Sequence, residues 1–199
     1  MLPNHPSRSF PSVFLAFCLC LFTSGKLLAT ELEGSESQII AERICTFPRF
    51  VEWPGKRFAS PDAPFVIGVF GADTVTELLR ETMQDRRIKD HAVVVRQCSV
   101  KEELPSCHLV FIARSENSRL DSILRIVRRE GILTVGESDN FLSRGGVINL
   151  VNIGGNIRFQ INQDAARREK LTVSSKLLQL ALPLNLDVGT GGTTVFPRP

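Results

Sequence analysis

Cys107 and His108 stand side by side, nine residues after Cys98. A thiol beside an imidazole is the pairing used for thiolate nucleophiles and for metal ligation. Neighbouring residues of a strand, however, point to opposite faces. No further Cys or His cluster completes a metal site, so His108, and His91 in a polar turn, read as structural. Ser174-Ser175-Lys176 has the composition of a serine–lysine nucleophile pair, but adjacent positions on a helix do not face each other. The serines read as N-cap residues and Lys176 as an exposed or pairing one. Gly68-x-x-Gly71 is not the three-glycine dinucleotide fingerprint, and a tight turn explains it. Asp139 and Asn140 make a turn before Phe141, and no carboxylates are paired for acid–base work. Arg125, Arg128 and Arg129 form a basic edge on one helix, the pattern of a solvated face. No catalytic residue, metal or cofactor is implied.

The elements that hold these residues follow from periodicity. Apolar positions at Ile40, Ile44, Phe47 and Val51 have helical spacing. Pro48 interrupts that stripe, so the helix either kinks at Phe47 or ends there and passes into a separate turn up to Trp53. Ser35 or Ser37 is placed to cap its start. Phe65 to Phe70 is a continuous apolar run, the mark of a strand buried on both faces. A glycine turn leads into a helix capped by Asp73 or Thr74 and buried through Val75, Leu78, Leu79 and Met83. Further strands are expected at Ala92–Arg96, His108–Ala113 and Ile132–Val135. Between the last two lies a helix through Leu120, Ile123, Leu124 and Val127, with Gly131 as its C-cap. Val147–Val151 and Ile157–Ile161, joined through Gly154-Gly155-Asn156, read as a β-hairpin. Short helices over Asp164–Glu169 and Ser174–Ala181 close the pattern, the first capped by Asp164. Alternating strands and helices imply an α/β fold, a Rossmann-like, mostly parallel sheet flanked by helices, with a C-terminal antiparallel hairpin.

Val13–Phe22 is an apolar run behind Arg8, of a length that suits a secretory signal and is too short for a membrane span. The expected organisation is a signal peptide over residues 1–29, a linker over 30–37, the α/β domain over 38–182 and a flexible tail over 183–199. Export removes Cys18 and Cys20 and leaves Cys45, Cys98 and Cys107. In an oxidising compartment Cys98 and Cys107 have the spacing for a disulfide, the alternative being two buried thiols. Cys45, on the apolar helix face, reads as a core thiol. The net charge of +3 and the absence of basic runs interleaved with aromatics argue against nucleic acid as a partner. Trp53, the only tryptophan, has two readings: core packing, or an amphipathic anchor in a binding site.

Several blocks occur together in a characteristic order: Phe47-Pro-Arg-Phe-Val-Glu-Trp-Pro54, Cys107-His-Leu-Val-Phe-Ile112, Leu133-Thr-Val135, Gly145-Gly-Val-Ile-Asn149, Arg158-Phe-Gln-Ile-Asn162 and Ser174-Ser-Lys-Leu-Leu178. The chain from Gln38 to Ala181 thereby resembles the YfiR-type periplasmic regulators. The resemblance implies a compact Rossmann-like domain with no enzyme activity. It implies repression of an inner-membrane diguanylate cyclase through the cyclase's periplasmic sensor domain. It also implies relief by an OmpA-like outer-membrane lipoprotein, homodimers and disulfide-based redox response. Arg158, Asn162 and Lys176 enter as partner-binding residues through the resemblance, beside Phe50 and Trp53 of its first block. Apolar residues of turns expected to be exposed, Phe141 and Leu142, and the helix face around Leu177 complete the expected contact surface. Three departures stand out: Pro48 in the helix, Gln160 where the family usually has Glu, and too few mature cysteines for two disulfides in one chain. The alternative function is a periplasmic small-molecule-binding module, with its ligand at the strand ends near Gly71 and Ala113 to Glu116.

Overall fold

The computed structural model describes residues 36–99 and 101–184. The expected signal peptide, the candidate cap Ser35 and the expected tail from 185 onward lie outside the described residues. Residues 36–46 form the first helix, α1, which buries Ile40, Ala41 and Ile44. It stops where the proline demands. Pro48 sits in the first turn of a separate 3-10 helix, Phe47–Phe50, where its missing N–H costs nothing. The chain then becomes a two-residue strand, β1 (Val51–Glu52). Val51 is therefore buried from a strand rather than from the helical stripe.

The strands β2 (Phe65–Phe70), β4 (His91–Gln97), β5 (Leu109–Ile112), β6 (Leu133–Gly136) and β7 (Ile148–Ile153) run parallel. Antiparallel strands close both edges. They are β3 (Arg87–Ile88) beside β4, and β8 (Asn156–Ile161) beside β7. The spatial order is β3-β4-β2-β5-β6-β7-β8. This is the expected α/β sheet with its C-terminal hairpin; β3 was not expected, because two residues carry no periodicity. Gly154 and Gly155 are the two hairpin loop residues. Both hold positive φ, as a twist-matched two-residue turn requires.

Side chains alternate across the sheet into two cores. Phe65, Ile67 and Val69 of β2 point to one, with α1, the helix α2 (Asp73–Met83) and the short helix α4 (Gln163–Arg168). Val66 and Phe70 point to the other, with α3 (Leu120–Val127) and Phe141. A second, two-stranded antiparallel sheet pairs β1 with β9 (Thr172–Val173), fastening the segment after α1 to the chain that follows α4.

Three caps differ from expectation. Neither Asp73 nor Thr74 caps α2; its N-cap is Ala72, whose carbonyl accepts from the Thr76 hydroxyl at 2.8 Å. Asn162, not Asp164, caps α4: its Oδ1 accepts from Ala165 N at 2.9 Å while its Nδ2 donates to the Leu142 carbonyl at 2.9 Å. Helix α3 ends at Val127, with Arg128 as its C-cap and Arg129 at positive φ, so Gly131 opens the approach to β6 instead. The last helix, α5 (Ser175–Leu180), is capped by the Ser174 hydroxyl as the sequence implied.

Candidate functional site

The segment after β1 is a clamp. Pro54 hands the chain to a 3-10 turn, Gly55–Arg57, which turns three side chains onto the start of β5. Trp53 donates its indole N–H to the His108 carbonyl at 3.1 Å and meets Phe65 edge-on, centroids 5.0 Å apart. Arg57 donates to the carbonyls of Pro105 and Cys107. Phe58 stacks between His91, at 4.1 Å, and His108, at 4.4 Å. Trp53 is half-buried and packs on the core, so of its two readings the packing one describes this structure.

Both histidines are packed into this arrangement, although the buried Nε2 of His108 has no hydrogen-bond partner among the described residues. His108 Nδ1 accepts from Val66 N at 3.0 Å, which leaves the proton on Nε2. Burial, followed by the nearby charge of Arg57, pushes its pKa down to about 4. His91 Nδ1 lies 2.6 Å from the Ala63 carbonyl, so that nitrogen carries its proton. Among the described residues, no group of His, Cys, Asp and Glu is placed to hold a metal.

Cys98 and Cys107 meet on the opposite side of β2, as the alternation at Cys107-His108 requires. Both are buried and free in this structure. They are packed over Gly68, where an added Cβ would come within 2.7 Å of Cys107 Sγ and 3.0 Å of Cys98 Sγ. The glycine of the Gly68-x-x-Gly71 spacing is there to admit the two sulfurs. The thiols share a hydrogen bond. That bond lowers the pKa of Cys107, aided by Ser106 and by the charges of Arg96 and Arg57. It also raises the pKa of Cys98, together with burial. Cys45 is half-buried at a cleft of about 500 Å³ that Arg49, Arg86 and Arg87 also line. Burial pushes its thiol up to about 11, which keeps it protonated and unreactive.

The crevice at the C-terminal ends of β2 and β5, the natural ligand mouth of such a sheet, is filled by the chain itself. Ser115 donates to the Gly71 carbonyl at 2.9 Å. The buried Glu116 lies against Gly71 and accepts from Arg119 Nε at 2.8 Å.

The expected contact residues divide sharply. Phe141 and Leu177 are 0% and 2% exposed, which corrects the expectation that they face a partner. The Phe141 ring lies between Gly136 and Gly146, whose added Cβ atoms would come within 2.3 and 2.1 Å of it. Phe50 and Leu142 are half-buried, and Asn162 is occupied by its cap and its tether to Leu142. Of the expected contact residues, Arg158 and Lys176 alone are exposed. Sequence reasoning missed Leu180 and Leu184, which among the described residues are the large apolar side chains most open to solvent, at 60% and 57%. Their signal was the leucine run beyond the buried face of α5.

The fold and this site define an α/β domain built around a packed aromatic clamp and a buried thiol pair. The chain belongs to the YfiR/HmsC-like family, which matches it over residues 37–182. That family is one of periplasmic regulators in diguanylate cyclase signalling. No curated protein matches the sequence. Among solved structures, a conserved domain protein from Vibrio cholerae is similar at 14% identity and a TM-score of 0.45, covering 59% of this chain and 53% of its own. An ABC domain from Streptococcus pneumoniae in complex with L-Trp is similar at 10% identity and a TM-score of 0.42, covering 58% and 53%. The chain thus spans about half the length of each.

Proposed function

We propose that this chain is a periplasmic, non-catalytic repressor of a membrane-bound diguanylate cyclase. The observation that carries the reading is the family match, which runs through every strand and helix described above. Two features support it. Both histidines are locked in packing, and the sheet's natural ligand mouth is filled by Ser115 and Glu116.

The regulator acts by population shift: it binds the inactive arrangement of the cyclase's periplasmic sensor domain more tightly than the active one. An OmpA-like outer-membrane lipoprotein that sequesters the regulator releases the cyclase, and cyclic-di-GMP rises. Arg158 and Lys176, with Leu180 beside the latter on α5, are the side chains we assign to partner contact. The buried pair Cys98–Cys107 closes to a disulfide in the oxidising compartment and rigidifies the β4–β5 connection.

Deleting the gene tests this reading. Cellular cyclic-di-GMP is expected to rise, and a second deletion, of one membrane cyclase, is expected to cancel the rise. An unchanged level in the single deletion refutes repression.

A further inference from the structure

The basic edge of α3 belongs to a larger feature. Arg125 and Arg128 line a cleft of about 130 Å³ with Arg144, from the loop before β7, and Arg168, from the end of α4. Two carboxylates also line it, and both are already engaged. Asp121 accepts from Arg144 Nε at 2.6 Å, and that bond, with the charges of Arg144 and Arg125, holds its carboxyl below the ordinary range. Glu169 is buried and accepts from the backbone N–H groups of Arg129, at 2.9 Å, and Gly131, at 3.1 Å. Among the described residues, no carboxylate pairs with Arg125, Arg128 or Arg168.

Four arginines against two carboxylates leave this small cleft with a net positive charge, which an anion bound there would offset. Guanidinium remains charged at every pH the protein meets, and its N–H forks match phosphate oxygens. Thr134, 3% exposed, also lines the cleft. Its hydroxyl accepts from Val147 N at 3.0 Å and therefore retains its own proton to donate. The cleft lies at the N-terminal ends of β6 and β7, the opposite end of the sheet from the filled mouth at Gly71.

We propose that this cleft is a binding site for a phosphate group carried as inorganic phosphate or as a phosphomonoester. The lining favours a dianion with three terminal oxygens over a singly charged, two-oxygen carboxylate, because several arginines and a threonine border one cleft. A volume of about 130 Å³ holds the phosphate and leaves the remainder of a larger molecule outside. The site is independent of the regulatory reading: failure of one leaves the other intact.

Calorimetry on the chain as exported, at constant ionic strength, tests it with orthophosphate and with glycerol 3-phosphate. The expected result is one saturable site that acetate does not fill. Arg128→Gln and Arg168→Gln are each expected to weaken it about tenfold, as the loss of a charge-assisted hydrogen bond implies. Arg80→Gln, on the exposed face of α2 and paired with Glu77, should leave the affinity unchanged. Sedimentation with phosphatidic acid vesicles, and not with phosphatidylcholine vesicles, in the absence of free-phosphate binding would assign the group to a lipid headgroup and sustain the proposal. A chain that binds none of the three phosphates, or whose Arg168→Gln and Arg80→Gln variants bind alike, overturns it.

Discussion

His108 couples packing to pH. Its unfolded value is near 6.5 and its folded value about 4, because burial and the Arg57 charge penalise the imidazolium. Between those values the unfolded chain binds more protons than the folded one, so stability is complete above about pH 6.5 and declines as pH falls toward 4. His108→Gln removes this titration. Chemical denaturation at pH 7 and pH 5 is expected to show a smaller loss of stability in the variant than in the parent. Equal losses would mean that other groups dominate the acid limb. On the other side of β2, the Cys98–Cys107 pair has a direct check. Digestion of the unreduced exported protein should yield one cross-linked peptide joining these residues, with Cys45 alone alkylated after unfolding. Two alkylated thiols at 98 and 107 would remove the disulfide. The sulfurs already meet over Gly68, so closing the bond needs only small rearrangement, and Gly68→Ala should disturb the pair, since its Cβ would lie 2.7 Å from Cys107 Sγ.

Elements long enough to show a period were legible in the sequence; those fixed by single contacts were not. β2 and α3 announce themselves through six continuous apolar residues and a four-point stripe. β1, β3 and β9 have two residues each, too few for any pattern, and exist because tertiary pairing selects them. Caps were misassigned for a related reason. Asp164 and Asn162 are both good capping residues, and only the tether from Asn162 to Leu142 decides between them. The consequence is measurable. Asn162→Ala loses a cap and a long-range hydrogen bond, at about 2 kcal/mol. Asp164→Ala, at an exposed position paired only with Arg167, should change stability by less than about 0.5 kcal/mol. Equal effects from the two substitutions would return the cap to Asp164. The candidate site was less legible than the fold, because exposure is a property of the assembled molecule. The turn at Phe141 looks polar from Asp139 to Arg144, yet two glycines open a slot that swallows its ring.

At the scale of the whole molecule, the question is which residues belong to folding and which to partners. A pattern-based guess mixes them: Phe141 and Leu177 lie in the two cores, while Arg158 and Lys176 stand in solvent. Truncation separates the classes. Phe141→Ala empties a fully enclosed aromatic site and is expected to cost about 3–5 kcal/mol, and Leu177→Ala about 2–5 kcal/mol. Any loss of regulation in those variants follows from a smaller folded population. Arg158→Glu and Lys176→Glu replace exposed cations, so they should change stability by less than about 0.5 kcal/mol. If they meet the cyclase sensor domain, each reverses a charge at the interface, and rim charges act on association rate and salt dependence more than on dissociation. Surface-plasmon measurements on the purified sensor domain should then show slower association for both variants, with the difference shrinking as salt is raised. Unchanged association in both, at unchanged melting temperature, would move the contact surface elsewhere. The exposed Leu180, at the end of α5, and Leu184, beyond it, are then the next side chains to truncate, because apolar surface left open on a folded domain is the other common mark of a docking face.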